Sequence, residues 1–418
     1  MTPETIQIFD LVLTVLFFLL CGYQFLYIPV SLFFRGKPKG MAKPHRFAVL
    51  IAARDEEAVI RPLLDSIRTQ DYPSALVTVF VCADNCCDRT ARFAREGGAV
   101  VYERFDRVHV GKGHALHFLL SAIERDFGAF DGYFVFDADN LLKKDYISRM
   151  NETFSQGFPI VTSYRNSKNF GDNWISAGYA LWFLREARYL NQARANLGTS
   201  CAVSGTGFLF SRAVLEDCGG WNFFTLTEDI EFTIRNVLAG QKIGYCGDAE
   251  FFDEQPTAFS QSWRQRMRWA RGYLQVFRRY GPSLLRGIFS RSFLPCFDMT
   301  MLILPAAVLT GIGLTAHLWA AVLALSAGQD ASFALFSLLK AFAGMYLTLF
   351  LIGALTMFTE RRHIALSLAK KIRYTFTFPL FMMTYVPISI SALLFPVRWK
   401  PIRHRRALTL AQIMEKRQ

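Results

Sequence analysis

Residues 46–255 show two patterns of apolar and polar positions that follow one another along the chain. In the first pattern, nearly every residue of a short run is apolar, which predicts a buried strand. In the second, apolar residues recur every three or four positions, which predicts a helix. The predicted strands are 47–53, 77–83, 99–102 and 133–136, and the predicted helices are 56–69, 88–96 and 113–125. This alternation predicts an α/β domain whose parallel, Rossmann-like sheet is covered on both faces.

Four other segments are apolar over lengths that match a bilayer core of about 30 Å. They are residues 11–34, 299–328, 331–359 and 374–397; Lys340 interrupts the third, and prolines break the fourth. Basic residues follow the first segment and fill 361–373, so the positive-inside rule predicts a cytosolic α/β domain. A simple crossing by the fourth segment would put the basic residues after 397 outside. Either the rule fails there or this segment re-enters or lies in the interface, and we favour a tail on the inside.

Residues 256–297 contain no acidic side chain and interleave arginines with aromatic residues. On a helix, this composition suits the membrane interface. The chain is therefore predicted to have five parts. These are a transmembrane helix (1–35), a cytosolic domain (45–255), basic amphipathic interface helices (256–298), C-terminal transmembrane helices (299–397) and a basic tail (398–418). We expect an integral protein of the plasma membrane.

Composition narrows the classes of partner. The chain is 52% hydrophobic, which argues against a purely soluble protein, and 47 basic against 34 acidic residues give a net charge of +13. With long apolar segments, this charge favours anionic lipid head groups and a phosphorylated substrate over nucleic acid. The cysteines are scattered in apolar contexts and indicate reduced core residues. Zinc at Cys82, Cys86 and Cys87 is disfavoured, because no second Cys or His pair has the required spacing.

Carboxylates follow three predicted strands at the point where each strand ends. Asp137 and Asp139 share one face of the run 133–140, and Asp55 and Asp84 follow two other strands. The carboxyl ends of parallel strands meet at the edge of the sheet where ligands bind. Such oxygen ligands suit Mg²⁺ or Mn²⁺ held against a diphosphate, although an acidic pair can also simply end a strand or cap a helix. No Gly-x-Gly-x-x-Gly follows the first strand, which argues against an ordinary dinucleotide-binding enzyme.

Three later stretches are also of interest. Residues 173–195 are predicted to form an amphipathic helix. The glycine-rich loop 203–207 can bring its backbone close to a ligand or can be a simple turn. Asp229 precedes the helical pattern 230–238 and can either stabilise the helix N-terminus or act as a general base. Lipid contact explains most of the arginines after 255, but Arg268 could equally clamp a diphosphate.

Taken in order, four motifs resemble those of the family 2 glycosyltransferases. They are Asp84, Asp137-x-Asp139, Thr227-Glu228-Asp229 and Gln265-Arg266-Met267-Arg268-Trp269. Within a membrane-flanked α/β domain, this order is similar to that of the membrane-integrated synthases of cellulose, hyaluronan, chitin and poly-N-acetylglucosamine. The resemblance covers about residues 45–275 with the flanking spans, and it implies a GT-A fold for the cytosolic domain.

Position by position, the resemblance implies a role for each matching residue. The nucleotide sugar would be bound by Ala53, Arg54, Glu56, Asp84, Lys112 and Asp137. The metal, Mg²⁺ or Mn²⁺, would be held by Asp137 and Asp139. The acceptor would be lined by Ser204, Gly205, Thr206, Gly207 and Trp269. The catalytic group would comprise Asp229, Gln265, Arg268 and Trp269.

Two positions depart from the family pattern. Asp55 stands where the family usually has asparagine, and Ala83-Asp84-Asn85 stands where many members have two adjacent acids. Neither change removes a charge that the chemistry requires. Residues 399–402, Trp-Lys-Pro-Ile, are weakly similar to a tryptophan-containing motif near the substrate gate of some synthases.

The predicted chemistry is a single displacement. Asp229 takes the proton of the incoming hydroxyl, while a metal on Asp139, with Lys112 and Arg268, compensates the charge of the departing diphosphate. Without an enzyme nucleophile the anomeric centre is inverted, so an α-linked donor gives a β-linked product.

Our leading hypothesis is a processive synthase that polymerises a UDP-sugar and secretes the polysaccharide through its own helices. The rival is transfer of one sugar to a lipid, as in ceramide glucosyltransferases, which have a similar motif set. Three or four helices form only a narrow channel unless the protein is a homo-oligomer or has an accessory subunit, which favours the rival. A transporter would leave the strand-end carboxylates unexplained. The expected partners are a UDP-sugar, a polysaccharide or lipid acceptor and membrane lipids, with no nucleic acid.

Overall fold

An eight-stranded sheet forms the centre of the α/β domain. The computed structural model describes residues 3–34, 42–290, 292–328, 330–397, 399–402, 404, 406–415 and 417. The strands are β1 (Phe47–Ala53), β2 (Val77–Asp84), β3 (Val100–Arg104), β4 (Gly132–Asp137), β5 (Leu141–Leu142), β6 (Ile160–Ser167), β7 (Phe208–Ser211) and β8 (Ile243–Asp253). Their order across the sheet is β3-β2-β1-β4-β7-β6-β8-β5.

The α/β fold class is confirmed, but the sheet is mixed and not wholly parallel. Strands β3, β2, β1 and β4 are parallel, as predicted. Strand β7 is antiparallel to both β4 and β6, and β5 is antiparallel to β8. The chain enters β7 from the carboxyl edge of β4, where the Gly207 N–H donates to Val135 O at 2.9 Å. A strand that starts at this edge can only run back along β4.

The helices, in chain order, complete the architecture. They are α1 (Pro3–Cys21), α2 (Tyr23–Phe33), α3 (Ile60–Arg68), α4 (Thr90–Glu96), α5 (Lys112–Phe127), α6 (Tyr146–Phe154), α7 (Trp174–Arg185), α8 (Gln192–Leu197), α9 (Arg212–Asp217), α10 (Glu228–Leu238), α11 (Phe259–Ile288), α12 (Phe293–Ile303), α13 (Pro305–Ser326), α14 (Ser332–Thr359), α15 (Leu368–Met383), α16 (Tyr385–Leu394) and α17 (Leu410–Glu415). A 3₁₀ turn, Ser74–Leu76, precedes β2, and a π turn, Glu186–Asn191, joins α7 to α8.

Two apolar layers cover the faces of the sheet. Along β1, Ala48 and Leu50 point into one layer, and Phe47, Val49 and Ile51 point into the other. All five side chains are fully buried. Because both faces of the strand are buried, every position in its sequence is apolar. The polar residues of the sheet are therefore found at its carboxyl edge.

The helix predicted over 173–195 exists, but it is not amphipathic. Asn173 caps it by accepting hydrogen bonds from the Ile175 and Ser176 N–H groups at 3.0 and 3.1 Å. From Ile175 to Leu181 every residue is buried, because the helix lies between β6 and the membrane helices α14 and α15. Its middle turn is π-helical, over Glu186–Asn191.

Three stretches are long and apolar enough to cross a membrane: Gln7–Phe33, Ser332–Thr359 and Leu368–Leu394. The single span predicted over 299–328 is instead broken at Leu304 into α12 and α13. Pro305 lacks an N–H group, and proline disfavours helical geometry in the residue before it. The last stretch bends at Thr384, between α15 and α16.

Buried polar contacts tie the membrane helices to one another and to the α/β domain. Asp298 of α12 pairs with Arg194 of α8 at 2.7 Å and accepts hydrogen bonds from Tyr23 and Tyr27 of α2. These contacts anchor the first of the three long apolar stretches beside the domain.

The C-terminal tail returns to the α/β domain. The Arg406 N–H donates to Glu254 Oε2 at 3.0 Å, and the Arg417 guanidinium lies 2.9 Å from Glu250 Oε1. Ile413 of α17 packs against β5 and β8. The tail therefore packs against the α/β domain, and its location on the inside of the membrane stays a prediction. The basic residues 35, 37, 39, 398, 403 and 405 used in predicting membrane topology lie outside the described residues.

Candidate active site

One cavity of about 2010 Å³ opens at the carboxyl edge of β1, β2 and β4 and continues between the membrane helices. Its size exceeds the range of about 300–1,000 Å³ that is usual for small-ligand sites. The predicted site residues on its wall are Ala53, Arg54, Glu56, Asp84, Lys112, Asp137, Asp139, Ser204, Gly205, Asp229, Gln265, Arg268 and Trp269. Residues from distant parts of the sequence thus meet around one space.

The end of β2 carries a buried ion pair. Arg104 Nη1 lies 2.6 Å from Asp84 Oδ1, and its Nη2 donates to His109 O at 2.7 Å. Burial raises the pKa of Asp84, although Arg104 opposes the shift. Asp55, and Asn85 in the stretch Ala83-Asp84-Asn85, both have left-handed backbone geometry, with φ of 55° and 53°. Non-glycine residues held in this region are concentrated at functional sites.

Asp137 and Asp139 face the same cavity in different surroundings. Lys112 Nζ bridges Asp137 and the Gly205 carbonyl oxygen, the latter at 2.8 Å. Asp139 is buried and accepts a hydrogen bond from the Glu254 N–H at 2.5 Å. Burial favours the protonated form of Asp139, but nearby positive charges outweigh it, and the pKa is lowered. Asp139 is therefore held as a carboxylate at neutral pH.

Thr206 and Gly207 lie behind the cavity wall, so their predicted acceptor contact is not supported. Thr206 Oγ1 accepts from the Asp137 N–H at 2.9 Å and donates to Asn140 Oδ1 at 2.5 Å. A Cβ on Gly207 would lie 2.2 Å from the ring of Phe251. Thr206 thus holds the backbone of Asp137, Gly207 pairs with Val135 of β4, and neither residue lines this cavity.

Asp229 stands at the start of α10, beside the glycine-rich loop. A Cβ on Gly205 would lie 3.8 Å from Asp229 Oδ2, so the loop passes close to this carboxylate. Burial raises the pKa of Asp229, and Arg268 and Lys112 oppose the shift. Burial and the charge of Asp229 raise the pKa of Glu228 to about 7. A buried acid with a raised pKa is suited to accept a proton.

Helix α11 presents Gln265, Arg268 and Trp269 to the cavity. Arg268 Nη1 donates to Leu226 O at 2.6 Å, which holds the guanidinium beside the start of α10. Arg266 points away and is fully buried; it donates to Phe381 O at 3.0 Å and to Thr384 Oγ1 at 2.7 Å. The predicted lipid contact is therefore wrong for Arg266, which instead binds α11 to the bend between α15 and α16.

Comparison with known proteins identifies the family. A sequence model described as "Glycosyltransferase like family 2" matches residues 44–272. The chain belongs to the family 2 glycosyltransferases. The predicted family is confirmed.

Several relatives of this glycosyltransferase have described activities. A beta-monoglucosyldiacylglycerol synthase of Nostoc sp. is 29% identical over 287 residues, which are 65% of this chain and 59% of that protein. A poly-beta-1,6-N-acetyl-D-glucosamine synthase of Staphylococcus epidermidis is 24% identical over 232 residues, which are 55% of each chain. This chain thus matches less than two thirds of the length of either relative.

A solved structure has the same fold. It is the mannosyltransferase PcManGT from Pyrobaculum calidifontis, in complex with GDP-Man and Mn²⁺. The structural alignment covers 94% of the present chain and 99% of the mannosyltransferase chain, with a TM-score of 0.54 and 18% sequence identity. At this identity the similarity establishes the fold alone.

The structure adds residues to the glycosyltransferase site that the sequence analysis missed. Arg165, near the end of β6, lines the cavity, donates to Ser204 O at 3.0 Å and pairs with Asp253 at the end of β8. Asp253 follows an apolar run in the sequence, so its position could have identified it as a candidate site residue.

His404 of the tail is a further unpredicted residue. Its Nδ1 lies 2.8 Å from Glu56 Oε1. Burial raises the pKa of Glu56 to about 7, against the effect of His404. Burial lowers the pKa of His404, but Asp139 and Glu56 outweigh it and raise the value to about 10. Trp399, in the weakly matched motif, lies 5.3 Å from the Arg54 guanidinium. No sequence motif pointed to His404.

The membrane part of the cavity has mainly apolar walls. They are formed by α1, α12, α13, α14 and α16, with residues such as Leu11, Phe17, Leu302, Leu314, Met345, Leu349, Ile352 and Leu393. Among these walls, at the middle of α13, His317 Nε2 lies 2.8 Å from Asp10 Oδ1 of α1. The glycosyltransferase therefore joins a polar, charged site to an apolar space in one continuous cavity.

Proposed function

We propose that this protein transfers one hexose from a UDP-sugar to the hydroxyl of a diacylglycerol-type lipid, with inversion at the anomeric carbon. The continuity of the cavity carries this proposal: it runs without a break from the strand-end carboxylates to apolar walls between the membrane helices. A lipid whose hydroxyl lies near Asp229 can bury its acyl chains along those walls. Burial of each CH₂ group contributes about 0.8 kcal/mol, so such walls favour acyl chains over a hydrophilic polymer.

Similarity to relatives supports a lipid acceptor. The synthase of Nostoc sp. is named for glucosyl transfer to diacylglycerol, and its similarity covers 65% of this chain. We extend this acceptor class to the present protein because its cavity has the apolar walls that such an acceptor requires.

The donor would lie at the carboxyl edge of the sheet. Ala53, Arg54, Glu56 and Asp84 would bind the nucleoside, and Lys112 would face the diphosphate. A positive charge fixed beside the leaving group stabilises the negative charge that develops there. Arg268, held by Leu226 O, would supply a second such charge from α11.

The acceptor hydroxyl would meet Asp229. This carboxylate would take the proton as the hydroxyl oxygen attacks the anomeric carbon and the diphosphate leaves. Trp269 packs edge-on against Tyr179, with ring centroids 5.8 Å apart, and would close the site above the sugar. The surrounding side chains would exclude water and so limit hydrolysis of the donor.

The residues of the Asp137-x-Asp139 motif fit a divalent cation. Both carboxylates face one cavity, and Asp139 is kept ionised by neighbouring positive charges. We propose that Asp137 and Asp139 hold Mn²⁺ or Mg²⁺. When bound, such an ion neutralises diphosphate charge.

A processive polysaccharide synthase is the second candidate. The similarity to the poly-N-acetylglucosamine synthase of Staphylococcus epidermidis favours it, as does the extent of the cavity beyond the middle of α14. This candidate requires a hydrated path for the polymer along walls that are mainly apolar.

Product size separates the candidates. The purified protein in nanodiscs would be incubated with Mn²⁺, a panel of UDP-hexoses and dioleoylglycerol, with Asp229→Asn as the matched inactive variant. We expect a lipid bearing one hexose, formed by the parent only. A ladder or high polymer would support the second candidate, and failure to release UDP from any donor would contradict both.

A further inference from the structure

Arg165 of β6 is a cation on the cavity wall that takes no part in the proposed chemistry. Its side chain is 15% exposed, and its Nε lies 2.7 Å from Asp253 Oδ2 at the end of β8. The Gln255 amide donates to the other Asp253 oxygen at 2.6 Å. The guanidinium also lies over the ring of Phe183, 3.6 Å from the ring centroid. These contacts hold the guanidinium in one orientation.

Arg165 also holds the glycine-rich loop. Its Nη1 donates to Ser204 O at 3.0 Å. The next carbonyl oxygen of the loop, Gly205 O, accepts a hydrogen bond from Lys112 Nζ at 2.8 Å. Two neighbouring carbonyl groups are thus held by two cations, one from β6 and one from the start of α5. The planar guanidinium contacts Asp253 and the loop from separate nitrogen atoms, a geometry that the single nitrogen of a lysine does not reproduce.

Gly205 connects this loop to the residues proposed for the reaction. Its φ is 76°, a left-handed geometry that glycine adopts without strain. Lys112, which donates to Gly205 O, also pairs with Asp137. A Cβ on Gly205 would lie 3.8 Å from Asp229 Oδ2. A shift of the loop would therefore move a hydrogen-bond partner of Lys112 and change the space beside Asp229.

We propose that Arg165 positions Lys112 for the diphosphate of the donor by fixing residues 204–205 of the glycine-rich loop. The inference rests on the proposed function, in which Lys112 faces the diphosphate. Arg165 is itself bonded to Asp253 and Ser204 O, so it acts through the loop and is a positioning residue.

A cycle of variants, followed by UDP binding, tests this role. The variants are Arg165→Lys, which keeps a positive charge beside Asp253, Lys112→Met, and the two combined. Each single change should remove the hydrogen bond between Lys112 and the diphosphate. We therefore expect each to raise the Kd for UDP with Mn²⁺ about tenfold, the effect of one hydrogen bond to a charged group. Because Arg165 acts through Lys112, the combination should stay within about twofold of Lys112→Met alone.

Three controls show whether the effect is local. Uridine, which has no phosphate, should bind Arg165→Lys within about twofold of the parent. Arg61→Lys, the same substitution in an exposed ion pair of α3, should bind UDP like the parent. Arg165→Met combined with Asp253→Leu removes both charges of the buried pair, so neither is left unpaired. This double variant should bind UDP as Arg165→Lys does.

The outcomes separate this inference from the proposed function. Additive losses, about a hundredfold in the combination, or an unchanged Kd in Arg165→Lys would overturn the role of Arg165 and leave the proposed donor site standing. Weaker binding of uridine by Arg165→Lys would show a general distortion of the site and would also overturn that role. An unchanged Kd in Lys112→Met would contradict the proposed donor site itself, and the inference with it.

Discussion

Nδ1 of His404 lies 2.8 Å from Oε1 of Glu56, so a residue beyond the last membrane helix is bonded to the edge of the sheet. Glu56 follows β1 among the proposed nucleotide-binding residues. Trp399 of the same tail lies 5.3 Å from the Arg54 guanidinium. The C-terminal tail thus contributes one wall of the proposed donor site.

Removal of the His404 side chain is expected to weaken donor binding. In His404→Ala, Glu56 loses its bonded partner inside the cavity, and the Kd for UDP with Mn²⁺ should rise about tenfold, as expected for a hydrogen bond between charged groups. Titration calorimetry measures this change. Glu415→Gln, at an exposed position of the same tail, is the matched control and should bind UDP like the parent. An unchanged Kd in His404→Ala would show that the tail does not shape the donor site.

Asp229→Asn should abolish transfer without loss of the donor. Asparagine keeps the shape of the side chain but cannot take the proton, and loss of a general base typically lowers the rate by about 10²- to 10⁴-fold. The Kd for UDP should remain within about twofold of the parent value. Residual transfer above a tenth of the parent rate would exclude Asp229 as the base.

The pH dependence should report the order in which Asp229 and Glu228 ionise. Asp229 must be ionised to act, and burial raises its pKa, so activity should fall with decreasing pH at a value above the usual aspartate pKa of about 3.9. The charge of Asp229 helps to raise the pKa of Glu228 to about 7, so Glu228 is protonated and uncharged where Asp229 ionises. Glu228→Gln replaces one neutral group by another, and the acidic limb of the kcat/KM profile should keep its position on the pH axis. A clear shift of that limb in either direction would contradict this order of ionisation.

The Arg194–Asp298 pair should be strongly coupled in stability. Both side chains are almost completely buried, with Arg194 Nε 2.7 Å from Asp298 Oδ2. Arg194→Met or Asp298→Leu alone leaves an uncompensated buried charge, a change that costs about 3–5 kcal/mol in other proteins. The double variant should have a higher Tm than either single variant. Additive losses of Tm would show that the two residues act independently.

Much of the fold followed from local pattern. The four parallel strands are long and buried on both faces, so their apolar runs are visible in the sequence. The antiparallel part was missed because β5 has only two residues and β7 only four, too few for a periodic signal. The break at Leu304 was missed because the surrounding residues are uniformly apolar, although Pro305 marks it.

Only part of the proposed site could be predicted from the sequence. Asp137, Asp139 and Asp229 lie in short motifs at element ends, where the type of residue and its position point to chemistry. His404 and Arg165 lie in no such motif. His404 meets Glu56 from 348 positions away in the sequence. Arg165 meets its carboxylate partner at the end of β8 from 88 positions away. Long-range contacts therefore set the limit of prediction.

Photolabelling tests most directly whether the membrane cavity holds the acceptor. Helix α14 turns Met345, Leu349 and Ile352 toward the cavity, whereas Leu347 and Leu351 are 56% and 58% exposed on the outside of the helix. A diacylglycerol with a diazirine in its acyl chain would be activated in nanodiscs, and the labelled residues would be mapped by mass spectrometry. We predict labelling of Met345, Leu349 and Ile352 that excess dioleoylglycerol prevents. Labelling confined to Leu347 and Leu351, unaffected by excess dioleoylglycerol, would contradict a lipid acceptor in this cavity.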